Sequence, residues 1–196
     1  MSSALKEIGI RKAFKFFYTT ILMILYEFMI FPPMRTVFLR LCGAKIGKHT
    51  IINKGVKFIN LYRTGFKGLA IGDYCFISDE AMFDLADKIT IGNHSTLGQR
   101  TMIITHINVG YSEHPLQKYF PSAQKGVIIK DGVFIGPYAV ILPGVVIGEN
   151  SLVMVKSLVT QNVPSHVLYG GIPGRVIKKL EPNEKNENTS YRNSGQ

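Results

Sequence analysis

The 196-residue sequence predicts an all-β fold, a parallel β-helix whose short strands wind into stacked triangular coils. Three observations predict it. Aliphatic residues recur every six positions, small or β-branched residues recur four positions after each, and 19 Gly among scattered Val and Ile point to many tight turns. A helix of period 3.6 cannot produce a strict six, and a simple strand of period two would not keep two such different columns. The length suits one domain, and 46% apolar residues are ample for its core.

Residues 1–42 form an N-terminal apolar and basic segment. Phe16 to Tyr26 carry no charge, Arg11, Lys12 and Lys15 precede them, and Glu27 interrupts before Phe28 to Phe31 extend the run to Pro32-Pro33. A spanning helix needs about 20 apolar residues, so this segment is short for one. No small-residue cleavage site marks a signal peptide. The expectation is one helix lying on a surface, either in a membrane interface or against the main domain.

Residues 43–176 carry the repeat. Ile129, Ile135, Ile141, Ile147, Val153 and Val159 step by six, with Val133, Ala139, Val145, Ser151, Ser157 and Val163 four later. Upstream, Ile46-Gly47 leads to Thr50, Ile71-Gly72 to Cys75, Ile91-Gly92 to Ser95 and Leu97-Gly98 to Thr101. Each unit reads as one strand and one turn, its aliphatic residue inward and its small residue where the chain bends. Three units close a coil, so residues 18 apart, such as Ile129 and Ile147, stack in the core. A register slip between Leu85 and Ile91 marks a turn of different length. The one large break, the excursion loop 107–126, holds Tyr111, His114, Tyr119 and Lys125, and such a departure from a regular scaffold is often functional.

This pattern resembles the hexapeptide-repeat sugar O-acetyltransferases, such as the maltose and galactoside enzymes. The likeness covers roughly residues 43 to 179 and is most specific at Asp131 to Gly148 (DGVFIGPYAVILPGVVIG) and Gly170 to Lys178 (GGIPGRVIK). It implies coils that wind left-handed, acetyl-CoA as donor, a saccharide or lipid-linked saccharide as acceptor, and a homotrimer with sites between subunits. A straight prism with a long side face suits that closed symmetry.

Thr105-His106, at the end of a coil where the loop begins, matches the family's catalytic position. A sugar hydroxyl is a poor nucleophile, and an imidazole with a pKa of about 6.5 can take its proton as it attacks a thioester. His114, followed by Pro115, is the rival, since a His-Pro pair serves in some relatives. Glu80 stands where the galactoside enzymes carry an acceptor-contacting Asn, which argues for a different acceptor. Asp79, Asp84 and Tyr111 are further candidates to bind its hydroxyls. Pro137, Val155 and Thr160 match positions along the pantetheine arm, and Arg175 and Lys178 match basic residues near its phosphates. The family's usual Gly-Ala-Gly-Ser reads here Met154-Val155-Lys156-Ser157, so Lys156 either approaches a phosphate or narrows the groove.

His49, His94 and His166 read as turn or structural residues, and Cys42 and Cys75 as reduced, buried thiols of a cytoplasmic protein. The net charge of +10 and pI of about 9.6 favour anionic partners. No nucleic-acid motif accompanies that charge. An envelope polysaccharide or glycolipid assembled at the inner face of the membrane fits both charge and hydropathy. No metal is expected, because His106 and His114 lack the ligand pairs of the zinc-binding relatives. An N-acyltransferase acting on an amino sugar and a non-catalytic or zinc-binding β-helix protein are the alternatives. Residues 177–196 read as a C-terminal segment ending in a flexible, polar tail from Glu181.

Overall fold

The structure, a computed structural model, describes residues 10–181. The expected flexible tail therefore lies, from 182 on, outside the described residues. Where one N-terminal helix was expected, the described residues form two, α1 (Ile10–Glu27) and α2 (Pro32–Leu41). Pro32 opens α2 at a position where its missing N–H costs nothing.

The coils follow. The first comprises β1 (Lys45–Ile46), β2 (Ile51–Ile52) and β3 (Lys57–Ile59), then the short α3 (Leu61–Thr64) and a 3₁₀ turn at Phe66–Gly68. The second comprises β4 (Leu69–Ile71), β5 (Phe76–Ile77) and β6 (Met82–Asp84). The third comprises β7 (Ile89–Ile91), β8 (Thr96–Leu97) and β9 (Met102–Ile103). The excursion loop is not structureless, since β10 (His106–Ile107) pairs antiparallel with β11 (Ala123–Gln124) around a 3₁₀ turn at Pro115–Lys118. The fourth coil is β12 (Val127–Ile129), β13 (Phe134–Ile135) and β14 (Val140–Ile141), and the fifth β15 (Val146–Ile147), β16 (Leu152–Val153) and β17 (Leu158–Val159). Strand β18 (Val167–Gly171) turns back into β19 (Gly174–Lys179), which closes the far end.

Three sheets form the faces of the prism: β1-β4-β7-β12-β15, β2-β5-β8-β13-β16-β18-β19, and β3-β6-β9-β14-β17. Apart from the β18/β19 return, all their pairings are parallel. Ile129 and Ile147 are paired and fully buried, as the 18-residue step requires. Each such aliphatic side chain contributes about 1.5–3 kcal/mol by leaving water. Most hydroxyls of the small column are hidden by donating to turn carbonyls, Thr50 to Gly72 at 2.7 Å, Ser95 to Lys130 at 3.0 Å and Ser151 to Pro164 at 2.6 Å, while the buried Ser157 hydroxyl has no partner among the described residues. Glycine at the second place of the unit has a steric cause. A Cβ on Gly136 would stand 2.5 Å from the Val155 backbone nitrogen of the next coil.

The near end of the solenoid is covered by α2. Leu39 is fully buried there, and Arg35 and Arg40 donate to the Ile52 and Ile46 carbonyls at 3.2 and 2.9 Å, capping the open coil. Helix α1 is anchored through Tyr26, 2% exposed, whose ring meets Phe58 edge-on at 5.4 Å.

The triangular edge between the third and first faces takes nearly all the irregular chain. It holds α3 and its 3₁₀ turn, residues 85–88 where the register slips, and the excursion loop. That edge positions the candidate site.

Candidate active site

Asn60 follows β3, Asp84 ends β6 opposite Ile59, and His106 opens β10 just beyond β9, so the three stand on one edge in successive coils. Asp84 is 1% exposed. One of its carboxylate oxygens accepts from the Asn60 amide at 2.7 Å and the Ala86 N–H at 3.1 Å; the other accepts from the Thr105 N–H at 2.9 Å and lies 2.5 Å from His106 Nδ1. Burial pushes the Asp84 carboxyl up, but the donors from His106, Asn60 and the backbone outweigh it and hold the group below the usual carboxylate range.

An ionised carboxylate only accepts, so His106 Nδ1 carries the hydrogen, and in the neutral imidazole Nε2 then keeps its lone pair. Among the described residues Nε2 has no hydrogen-bond partner, and the side chain is 28% exposed. Its backbone is pinned on the loop side by the β10/β11 pairing, with Lys125 N–H donating to the Thr105 carbonyl at 2.8 Å. From the adjacent coil corner, Arg63 donates to the Gln124 side chain at 2.9 Å.

This arrangement corrects the expectation for Asp84. It does not face solvent to bind a substrate hydroxyl; it lies beneath the imidazole with both oxygens occupied by the protein. Asp79 accepts from Asn53 at 3.0 Å, and Glu80 is ion-paired with Arg100 at 2.6 Å; both stand on the edge between the second and third faces, away from His106 in the same chain. The hydrogen bond from Arg100 lowers the Glu80 carboxyl below its ordinary value. Arg100 in turn donates to the Tyr138 hydroxyl at 2.9 Å, so this corner is an exposed ladder of Glu80, Arg100 and Tyr138. Tyr111 is 82% exposed on the loop. His114, also exposed, accepts from the Leu116 N–H at 3.1 Å and so caps the 3₁₀ turn.

The positions expected near the donor fall in three places. Pro137 and Val155 are neighbours on the second corner in successive coils, where the Lys156 N–H donates to the Pro137 carbonyl at 2.9 Å. Thr160 follows β17 at the third corner, and Arg175 and Lys178 lie exposed on β19. His49 and His94, read as plain turn positions, stack on either side of the Tyr74 ring at 4.7 and 5.1 Å. Sequence reasoning missed Asn60 and the pairing of Asp84 with His106. The available signal was a carboxylate directly after the buried Phe83, where a polar side chain needs partners.

Residues 126–160 match the family model described as bacterial transferase hexapeptide (six repeats). Over 145 residues, 74% of each chain, the sequence is 31% identical to the putative colanic acid biosynthesis acetyltransferase WcaF of Escherichia coli. Two solved structures are similar at 25% identity. One is a hexapeptide-repeat-containing acetyltransferase from Vibrio cholerae complexed with acetyl coenzyme A, with a TM-score of 0.71 over 92% of this chain and 91% of that one. The other is a maltose O-acetyltransferase from Clostridium difficile, with a TM-score of 0.73 over 89% and 90%.

Proposed function

Since the chain belongs to the hexapeptide-repeat acetyltransferase family and adopts its left-handed parallel β-helix, we propose that it transfers acetyl from acetyl-CoA to a hydroxyl of a saccharide. The observation that carries the site assignment is the buried Asp84 carboxylate against His106 Nδ1 at 2.5 Å. It holds the tautomer in which Nε2 accepts a proton.

Nε2 takes the hydroxyl proton as the acceptor oxygen attacks the thioester carbonyl. The tetrahedral adduct collapses, the C–S bond breaks, and the imidazolium returns its proton to the departing CoA thiolate. The products are an acetyl ester and free CoA, with no acyl-enzyme. Asp84 stabilises the transient imidazolium without itself taking a proton. His114 is occupied in capping its own turn, which favours His106 as the base. Pro137, Val155 and Thr160 are assigned to the pantetheine arm, and Arg175 and Lys178 to its phosphates, where cations gain from charge-assisted hydrogen bonds.

Asp79, Glu80 and Tyr111 remain the acceptor contacts of this proposal. Because Arg100 already neutralises Glu80, a neutral hydroxyl suits that corner better than an ammonium, which favours O- over N-transfer. The acceptor is assigned to envelope polysaccharide or glycolipid synthesis, in keeping with the relative that carries a colanic acid name.

A homotrimer is part of this proposal, and where the parts lie supports it. The assigned donor positions Pro137 and Val155 are on one corner and His106, with Thr160, on another, which suits a groove completed by a second chain. The outer side of the second face supports such an interface. Ile51, Phe76, Thr96, Phe134, Leu152 and Leu168 form one registered column there, with Ile51, Phe76 and Phe134 exposed. Among the described residues no helix is long and apolar enough to cross a membrane; the proposed place is the inner membrane face, reached through the N-terminal segment.

The test is thiol release from acetyl-CoA with a panel of oligosaccharides, nucleotide sugars and lipid-linked sugars, and with amine acceptors beside them. Acceptor-dependent CoA release that His106→Ala abolishes supports the reading. Full transfer by that variant, or release with amines alone, overturns it.

A further inference from the structure

Helix α1 is amphipathic with its apolar stripe turned the wrong way for a soluble protein. Leu22, Met23 and Tyr26 face the core. Yet Phe14, Phe17, Ile21, Leu25 and Phe28, spaced as on one helical face, are exposed: Phe14 and Phe28 at 69%, Phe17 at 63%. Phe31, Met34 and Leu41 extend this surface onto α2. Contiguous apolar surface of that kind marks an interaction site.

Charge selects the occupant. From Ile10 to Tyr26 there is no carboxylate, while Arg11 and Lys15 are exposed beside the stripe. Aromatic side chains flanked by cations on a helix too polar to span are the composition that lies in an anionic lipid interface.

Position adds a consequence. Phe16 meets Tyr62 of the α3 corner at 6.3 Å, which is the first-coil level of the edge that carries Asn60, Asp84 and His106. His106 stands two coils further along, about 10 Å at the spacing of parallel strands.

We propose that α1 and the adjoining surface of α2 dock the protein on an anionic bilayer, with the His106 edge held within a headgroup's reach of it. This narrows the acceptor to a lipid-linked saccharide. That last step rests on the acetyl-transfer reading; the docking does not.

The experiment is co-sedimentation of the full chain with vesicles of phosphatidylcholine alone and of phosphatidylcholine with phosphatidylglycerol, at low and high salt. Binding to the anionic vesicles that weakens with salt is expected. Phe14→Ser with Phe17→Ser should lower the partition coefficient at least tenfold. Arg11→Ala with Lys15→Ala should lower it about fivefold per cation removed. Circular dichroism and light scattering of both variants check fold and assembly. Absence of vesicle binding overturns the proposal, as does equal binding by the phenylalanine variant. Dissociation of the oligomer by that variant also overturns it, since the stripe would then face a second copy. Thiol release with soluble acceptors, run in parallel, reads the acetyl-transfer proposal separately.

Discussion

Asp84 and His106 form one hydrogen-bonded unit, and in the proposed mechanism neither side chain acts alone. His106→Ala removes the proposed base and should lower kcat by about 10²–10⁴, the usual worth of a general base, while acetyl-CoA still binds by calorimetry. Asp84→Asn is the sharper probe. The amide would donate to Nδ1, which moves the imidazole hydrogen to Nε2 and blocks proton uptake. We expect kcat to fall on the order of 10²-fold or more in steady-state assays, with little change in KM for the donor. The same variant should show a pH signature. The native carboxyl is held below its ordinary value, so its contribution is complete above the unfolded pKa of about 3.9 and is lost as pH falls through the folded value. The difference in unfolding free energy between wild type and Asp84→Asn should be constant near neutrality and narrow below about pH 4.

At the level of the element, the hexad is a packing rule with little slack. Its strands are mostly two or three residues long, so coil-to-coil contact sets the spacing. A methyl on Gly136 would meet backbone, not a flexible side chain: Val155 N at 2.5 Å and the Met154 carbonyl carbon at 2.7 Å. Gly136→Ala should therefore cost about 1–3 kcal/mol, seen as a lowered thermal midpoint, because the coils must part to admit it. The exposed Glu80–Arg100 pair behaves oppositely. Glu80→Gln should leave the denaturation midpoint almost unchanged, since solvent screens an exposed pair; a large change in acceptor KM would mark its corner as part of the site.

For the whole molecule, the regular faces and the irregular edge divide the labour. Stacked coils give a straight, rigid prism, and the one edge that absorbs α3, residues 85–88 and the excursion loop is free to carry chemistry. With His106 on that edge and Pro137 and Val155 on another, the proposed assignment gives one chain two half-sites. Sedimentation should give a trimer. Mixing His106→Ala chains equally with chains altered at Val155 should restore activity at roughly a quarter of the sites, by random placement around a closed ring. Mixtures as inactive as their parents would show that each chain works with its own halves.

The solenoid was legible without coordinates because its period is local: Ile129, Ile135 and Ile141 announce six-residue units within a dozen positions. The break after His106 was legible for the same reason, as an absence of period. Asp84 was visible as a carboxylate and nothing more. Whether it met solvent or an imidazole depended on how two corners of unequal length stack, and residues 22 apart in the chain carry no mark of that distance. Likewise the apolar run of α1 was plain in the sequence, but which side of it Tyr26 would fasten to Phe58, and so which phenylalanines stay in water, was decided only by docking the helix on the first coil. Periodicity encodes neighbours along the chain; burial and pairing across coils are set by the packed solid.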